Sequence, residues 1–201
     1  MKHLFIAVIT ISLVSVTFDV YAEGSSDRVS SEEYAIYSAI LNQVKISPSD
    51  GKRARLLVVN DRTSGPVGAY AVDSTGKCKK EFMSPALKPL LENMRTRNWK
   101  EYPLGRRFNV TRNYVLLSSK GFSDFFNDSM VGGWDDYYRK YPHGSGRYTF
   151  SRVGFDPGGK KAVVFVEVSC NVMCGYFTFV LLNKVNGKWK IASEYDCNSD
   201  R

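Results

Sequence analysis

Histidine is nearly missing from this chain: two in 201 residues, His3 and His143. A Ser-His-Asp arrangement beyond the leader therefore has one place to be built, the loop YPHGSG, and a histidine-rich metal centre has none. Long apolar runs are scarce as well. LFIAVITISLVSV, Leu4–Val16, falls short of the about 20 apolar residues that a membrane-spanning helix requires. The sequence holds no nucleophile elbow, no Gly-rich phosphate loop, no H-E-x-x-H pair and no EF-hand loop. No cofactor or metal is expected. Acidic residues are the rarer charge, 20 against 28 Lys and Arg, and the formal net charge is +8. That balance favours an acidic protein or an anionic envelope component as partner.

The first 22 residues read as an export signal. Lys2 and His3 precede the apolar run, and Val20 and Ala22 stand where a signal peptidase reads small residues. Cleavage is expected between Ala22 and Glu23, giving a periplasmic or secreted protein without a membrane span. Nucleic acid is then a poor candidate partner. About 180 residues remain, a length that suits one domain. EGSSDRV, 23–29, reads as a loose leader, and 30–201 as a single α+β domain.

Ser30 stands three residues before Glu33, a capping-box spacing, and Ile36, Ile40, Leu41 and Val44 give the helix that follows one apolar face. ARLLVVN (54–60) and NVTRNYVLLS (109–118) read as strands. A second helix runs through Leu87, Leu90, Leu91 and Met94, with Pro89 forcing a late start. FSDFFND and GWDDYYRKY read as two short helices around a break at Gly132–Gly133. Four strands then follow one another: YTFSRVGF, KAVVFVEVS, YFTFVLLNK and KWKIASEY. Asn186–Gly187 fits a two-residue type I′ turn, which sets Leu182 opposite Ile191 and Lys184 opposite Trp189. A turn centred between the cysteines sets Val168 opposite Tyr176 and Val164 opposite Val180. Both registers put Ala162, Val164, Val166, Val168, Val180, Leu182 and Ile191 on one face. The fold expected is α+β, with a C-terminal antiparallel four-stranded meander at 148–195 packed against N-terminal helices.

In that register Cys170 and Cys174 face each other across Asn171-Val172-Met173, within disulfide range. Export favours a disulfide over a redox pair or a metal clip. Cys78 with Cys197 is the preferred second bridge, and Cys174 with Cys197 stays open as another connectivity.

The segment SRVGFDPGGKKAVVFVEVSCNVMCGYFTFVLLNKVNGKWKI, 151–191, resembles a group of exported bacterial proteins with no established activity. The shared features are Ser151–Phe155, a Gly-containing turn at Asp156–Gly159, the strand from Ala162, Cys170–Gly175, and Gly187–Lys190. YYRKYPHGSG, 137–146, is similar to the segment preceding them in that group. The resemblance implies no activity. Asn-Val-Met between the cysteines and bulky Tyr176 after Gly175 depart from the group's pattern.

Two readings of function follow. The first is an exported, non-catalytic binding or accessory protein, of inhibitor or immunity type. Its candidate contact is the basic, aromatic-bearing segment Lys77–Arg112, with ten Lys or Arg against three Glu, and Arg95, Arg97, Arg106 and Arg107 as partner-binding residues. The second is a small periplasmic hydrolase or isomerase using Glu167 or His143. Glu167 stands among Val163, Phe165 and Phe177, and a carboxylate buried there would be raised into general acid or base range. Asp135 and Asp136 are adjacent on a helix and point in different directions, so they favour the helix start rather than a shared substrate.

Overall fold

The computed structural model describes residues 27–44, 51–52, 54–66 and 85–196. Cys78, Cys197, the Ala22–Glu23 junction, and Lys77, Lys79 and Lys80 of the basic segment lie outside the described residues.

Ser30 caps the first helix, α1 (Ser31–Leu41), through the capping box expected: its hydroxyl accepts from the Glu33 N–H, and the Glu33 carboxylate accepts from the Ser30 N–H. Ile36, Tyr37, Ile40 and Leu41 turn inward and are buried. Strands β1 (Leu56–Asn60) and β2 (Asn113–Leu117) form where the apolar, β-branched runs stand. The C-terminal strands are β3 (Gly144–Phe150), β4 (Gly154–Phe155), β5 (Lys161–Ser169), β6 (Tyr176–Val185) and β7 (Lys188–Asp196).

These seven strands make one mixed sheet in the order β2-β1-β3-β5-β6-β7, with β4 pairing β5. β1 runs parallel to both β2 and β3, while β3, β5, β6 and β7 pair antiparallel. The registers at both hairpins are those expected: Val168 with Tyr176, Val164 with Val180, Leu182 with Ile191, Lys184 with Trp189. The expected C-terminal strands form within this larger sheet. β5, β6 and β7 are consecutive and antiparallel, and YTFSRVGF is divided between β3 and β4. Chain leaves the sheet at Ser151 because Arg152 turns inward to a buried carboxylate, and it rejoins at Gly154.

Alternation along the strands divides the helices between two faces. α1 covers Leu57, Val59, Tyr148, Phe150, Val164, Val166 and Val180 on one side. On the other, α2 (Lys88–Arg97) sets Leu90 and Met94 against Val163, Phe165 and Phe179. Each fully buried side chain of this kind stabilises by roughly 1.5–3 kcal/mol. Pro89 lies in the first turn of α2, where its missing N–H costs no hydrogen bond. Short α3 (Ser119–Ser123), a 3₁₀ turn at Asp124–Phe126, and α4 (Met130–Lys140) cover Val58 and Leu117 with Trp134 and Tyr137.

Gly132–Gly133 does not break a helix. α4 starts earlier, capped by the Ser129 hydroxyl at the Gly132 N–H, and runs through both glycines. Gly133 is there for contact: a Cβ on it would come 2.4 Å from the Phe126 ring. Asp135 and Asp136 consequently sit in the second turn, both exposed, with Asp136 paired to Arg139. No helix among the described residues is long and apolar enough to cross a membrane.

Candidate functional site

Glu33 is the most constrained acid in the described residues. Its side chain has no solvent exposure, and both oxygens are occupied. Oε1 accepts from Arg152 Nε at 2.7 Å and from the Val153 N–H at 3.2 Å. Oε2 accepts from Arg152 Nη2 and Arg97 Nη2, each at 3.0 Å, and from the Ser30 N–H at 2.9 Å. Burial alone would raise this carboxyl, but the Arg152 hydrogen bonds and the Arg97 and Arg152 charges outweigh it and hold it below its ordinary range. Arg152 lies 4.3 Å from the Tyr102 ring centre, and Asn98 accepts from the Arg152 N–H and donates to its carbonyl.

The nominated arginines divide around this lock. Arg97 belongs to it, with a side chain only 13% exposed and its guanidinium 5.2 Å from the Phe155 ring. Arg107 lies over Tyr34 and donates to the Val29 carbonyl, although its residue is exposed overall. Arg112 donates to the Leu41 and Asn42 carbonyls at the negative end of α1. Arg95 is an exposed partner of Glu92, and Lys100 pairs with Asp27 beside exposed Trp99. Arg106 is exposed. Among the described residues of this segment, Arg97, Arg107 and Arg112 hold α1 in place.

A different surface stands out at the junction of β5 and β6. Cys170 and Cys174 form a disulfide with Cα atoms 5.4 Å apart, as their cross-strand placement requires. Cys170 is fully buried over Gly146, whose φ of 78° and missing Cβ make room for it. Tyr138 of α4 donates to the Cys170 carbonyl at 2.6 Å, and burial pushes that phenol up to about 12, so it remains a donor at neutral pH. The Cys174 N–H closes the turn onto the Asn171 carbonyl. On this anchored loop Val172 is 50% exposed and Met173 75% exposed. Tyr176, just beyond, forms the rim of a cleft of about 150 Å³ between the end of α1 and the sheet, walled by Ile40, Val44, Val166 and Val180 with Glu194 at its edge. That is a volume able to take one small ring or one side chain.

Glu167 sits on the opposite face of the sheet from the cleft, since it lies between Val166 and Val168. It pairs across the sheet with Phe177, as expected, but its carboxylate is exposed rather than buried. Arg147, two positions from its partner Thr149 on β3, supplies the nearby cation. His143 takes a left-handed backbone with φ of 54° just before β3. Six residues of strand, roughly 20 Å, separate it from Thr149, so one substrate atom cannot reach both His143 and Glu167.

Glu33 and Arg152 escaped sequence reasoning as partners because they are 119 residues apart. The capping box names a local role for Glu33 and is silent about its second one. The exposed Val172-Met173 tip was available to find: two apolar residues between paired cysteines have no strand face to turn to. Comparison with protein-family models, with curated proteins and with solved structures gave no significant match.

Proposed function

We propose that this chain is an exported, non-catalytic binding protein, and that it holds another protein of the envelope through the disulfide-closed loop at 170–174. One observation carries the reading: Val172 and Met173 are held out in solvent on a short loop fixed at both ends. A rigid apolar tip loses little conformational freedom on binding, which is how preorganised contacts gain affinity. Methionine adapts to irregular partner surfaces. The cleft beside Tyr176 extends the same surface and offers a socket for a partner side chain. Arg106 and Arg95 stand elsewhere as exposed cations, while Arg97 is committed to Glu33, so the loop replaces the arginines as the leading contact.

Site-specific photo-crosslinking in cells tests this. A crosslinking residue at Met173 should yield a discrete adduct, and one at Val131, also exposed but on α4, should not. The Cys170→Ser/Cys174→Ser variant should weaken the adduct even where the protein stays folded. Adducts of equal yield at both positions, or none at Met173, would overturn the reading.

A further inference from the structure

Four arginines of this molecule turn inward. Arg97, Arg112, Arg147 and Arg152 bond inward, to Glu33, to the end of α1 and to Asn60. Four lysines gather instead at the far end of the β5–β6–β7 sheet. Lys161 pairs with Asn183 on β6, and Asn183 pairs with Lys190 on β7, so the two lysines flank one asparagine in a single cross-strand row. Adjacent strands lie about 4.8 Å apart, which places the two backbones roughly 10 Å from each other. Lys188 faces the same way two residues along β7, opposite Val185, and Lys160 stands in the neighbouring turn, its carbonyl accepting from the Lys184 N–H. All four lysines are exposed, and Val185 among them is 42% exposed.

The acids close by are already engaged. Asp156 accepts from the backbone N–H groups of Gly158, Lys160 and Lys161, and Glu32 accepts from Lys184 and the Trp189 indole. Among the described residues no carboxylate pairs with Lys160, Lys161, Lys188 or Lys190. Both turns are fixed, with Gly159, Asn186 and Gly187 in left-handed backbone and Asp156 bridging its own. The lysines are thus a built array.

We propose that this lysine face is an electrostatic docking surface for an anionic lipid bilayer. Lysine is a compact, strongly hydrated point charge that suits a diffuse anionic plane, whereas clamping a single phosphate favours the arginine fork. The array stands on turn tips and an exposed sheet end, and a single polyanion strand would call for a groove. Val185 and Pro157, both exposed there, give the surface a shallow apolar edge to set at the headgroups. β5 runs from Lys161 to Ser169, so the lysine end and the Cys170–Cys174 loop lie at opposite ends of the same hairpin, roughly 26 Å apart. A chain resting on a bilayer by its lysine end presents its loop away from the lipid.

Co-sedimentation of the protein with vesicles of phosphatidylglycerol and phosphatidylcholine in equal parts, at physiological ionic strength, tests this. Each lysine contributes about fivefold to binding at an anionic surface. Lys160→Gln/Lys161→Gln/Lys188→Gln/Lys190→Gln should therefore lose at least roughly a hundredfold in partitioning. A control that removes the same charge elsewhere, Lys88→Gln/Arg106→Gln/Lys120→Gln/Lys140→Gln, should lose less than about tenfold. Should the fourfold variant fail to fold, Lys188→Gln/Lys190→Gln should lose roughly twentyfold. Equal losses in patch and control variants would overturn the proposal, as would wild-type protein that ignores these vesicles. Binding to soluble polyglutamate but not to vesicles would also overturn it, in favour of an acidic polymer. The crosslinking outcome at Met173 is independent of all these results.

Discussion

The region around α1 and the far end of the meander carry the same sign of charge and use it in opposite ways. Around α1 the cations are chiefly arginines, and they are drawn into the protein: Arg97 and Arg152 share Glu33, and Arg112 meets the last carbonyls of the helix. At the far end of the β5–β6–β7 sheet, Lys160, Lys161, Lys188 and Lys190 are exposed and have no carboxylate partner among the described residues, and only Lys184 there turns to an acid, Glu32. A planar fork can satisfy both oxygens of a buried carboxylate and keep its donors occupied, and an ammonium does this poorly. Net charge alone is therefore a weak guide to where this protein would meet a partner. In the segment richest in basic residues, Arg97, Arg107 and Arg112 are spent on the fold.

The strongest way to break the comparison is at Glu33. Glu33→Gln leaves two guanidinium groups facing a neutral amide in a buried site, and the loss expected is about 3–5 kcal/mol. Urea unfolding at neutral pH measures it. Since the Glu33 carboxyl is held below its ordinary range, its contribution is present above the unfolded-chain value and fades as pH falls through the lowered one. The gap between wild type and Glu33→Gln should accordingly narrow in acid. A gap that stays constant down to the acid transition would show that ionisation of Glu33 is not what holds the lock.

A smaller effect belongs to Gly154, the glycine of the SRVGF segment. A Cβ there would meet the Leu90 carbonyl oxygen at 2.1 Å and Met94 Cβ at 2.7 Å, because the backbone of α2 rests on it. Gly154→Ala should cost about 1–3 kcal/mol by overpacking, read from the shift in thermal midpoint. The motif's residues then have structural work throughout. Ser151 accepts from the Phe165 N–H, Arg152 binds Glu33, and Phe155 packs near Trp189, whose indole N–H donates to Glu32 of α1.

What was legible in the sequence follows the range of the interaction. The β5–β6 and β6–β7 registers were readable because strict alternation and an Asn-Gly turn both act within a few residues. The Cys170–Cys174 bridge followed from the same register. The capping box was readable for the same reason, and Pro89 marked the late start of α2. Parallel pairing of β1 with β2 and β3 was hidden, since no local signal joins strands separated by dozens of residues. Gly132–Gly133 looked like punctuation because glycine marks both a break and a close approach, and only the Phe126 ring decides between them. The site fared in the same way. The loop was seen as a staple, while its exposed tip and the inward turn of Arg97 depend on tertiary packing.

The central claim is that the inward-bonded arginines of the basic segment hold the fold, and Arg97 at the end of α2 and Arg106 beyond it test this side by side. The urea-unfolding free energy of Arg97→Gln, compared with that of Arg106→Gln, is the most direct measurement. Arg97 donates to a fully buried carboxylate and Arg106 is exposed. Losses of about 1.5–3 kcal/mol for Arg97→Gln and under about 0.5 kcal/mol for Arg106→Gln are predicted. Equal, small losses at both positions would contradict the account and return Arg97 to the surface as a residue available for a partner.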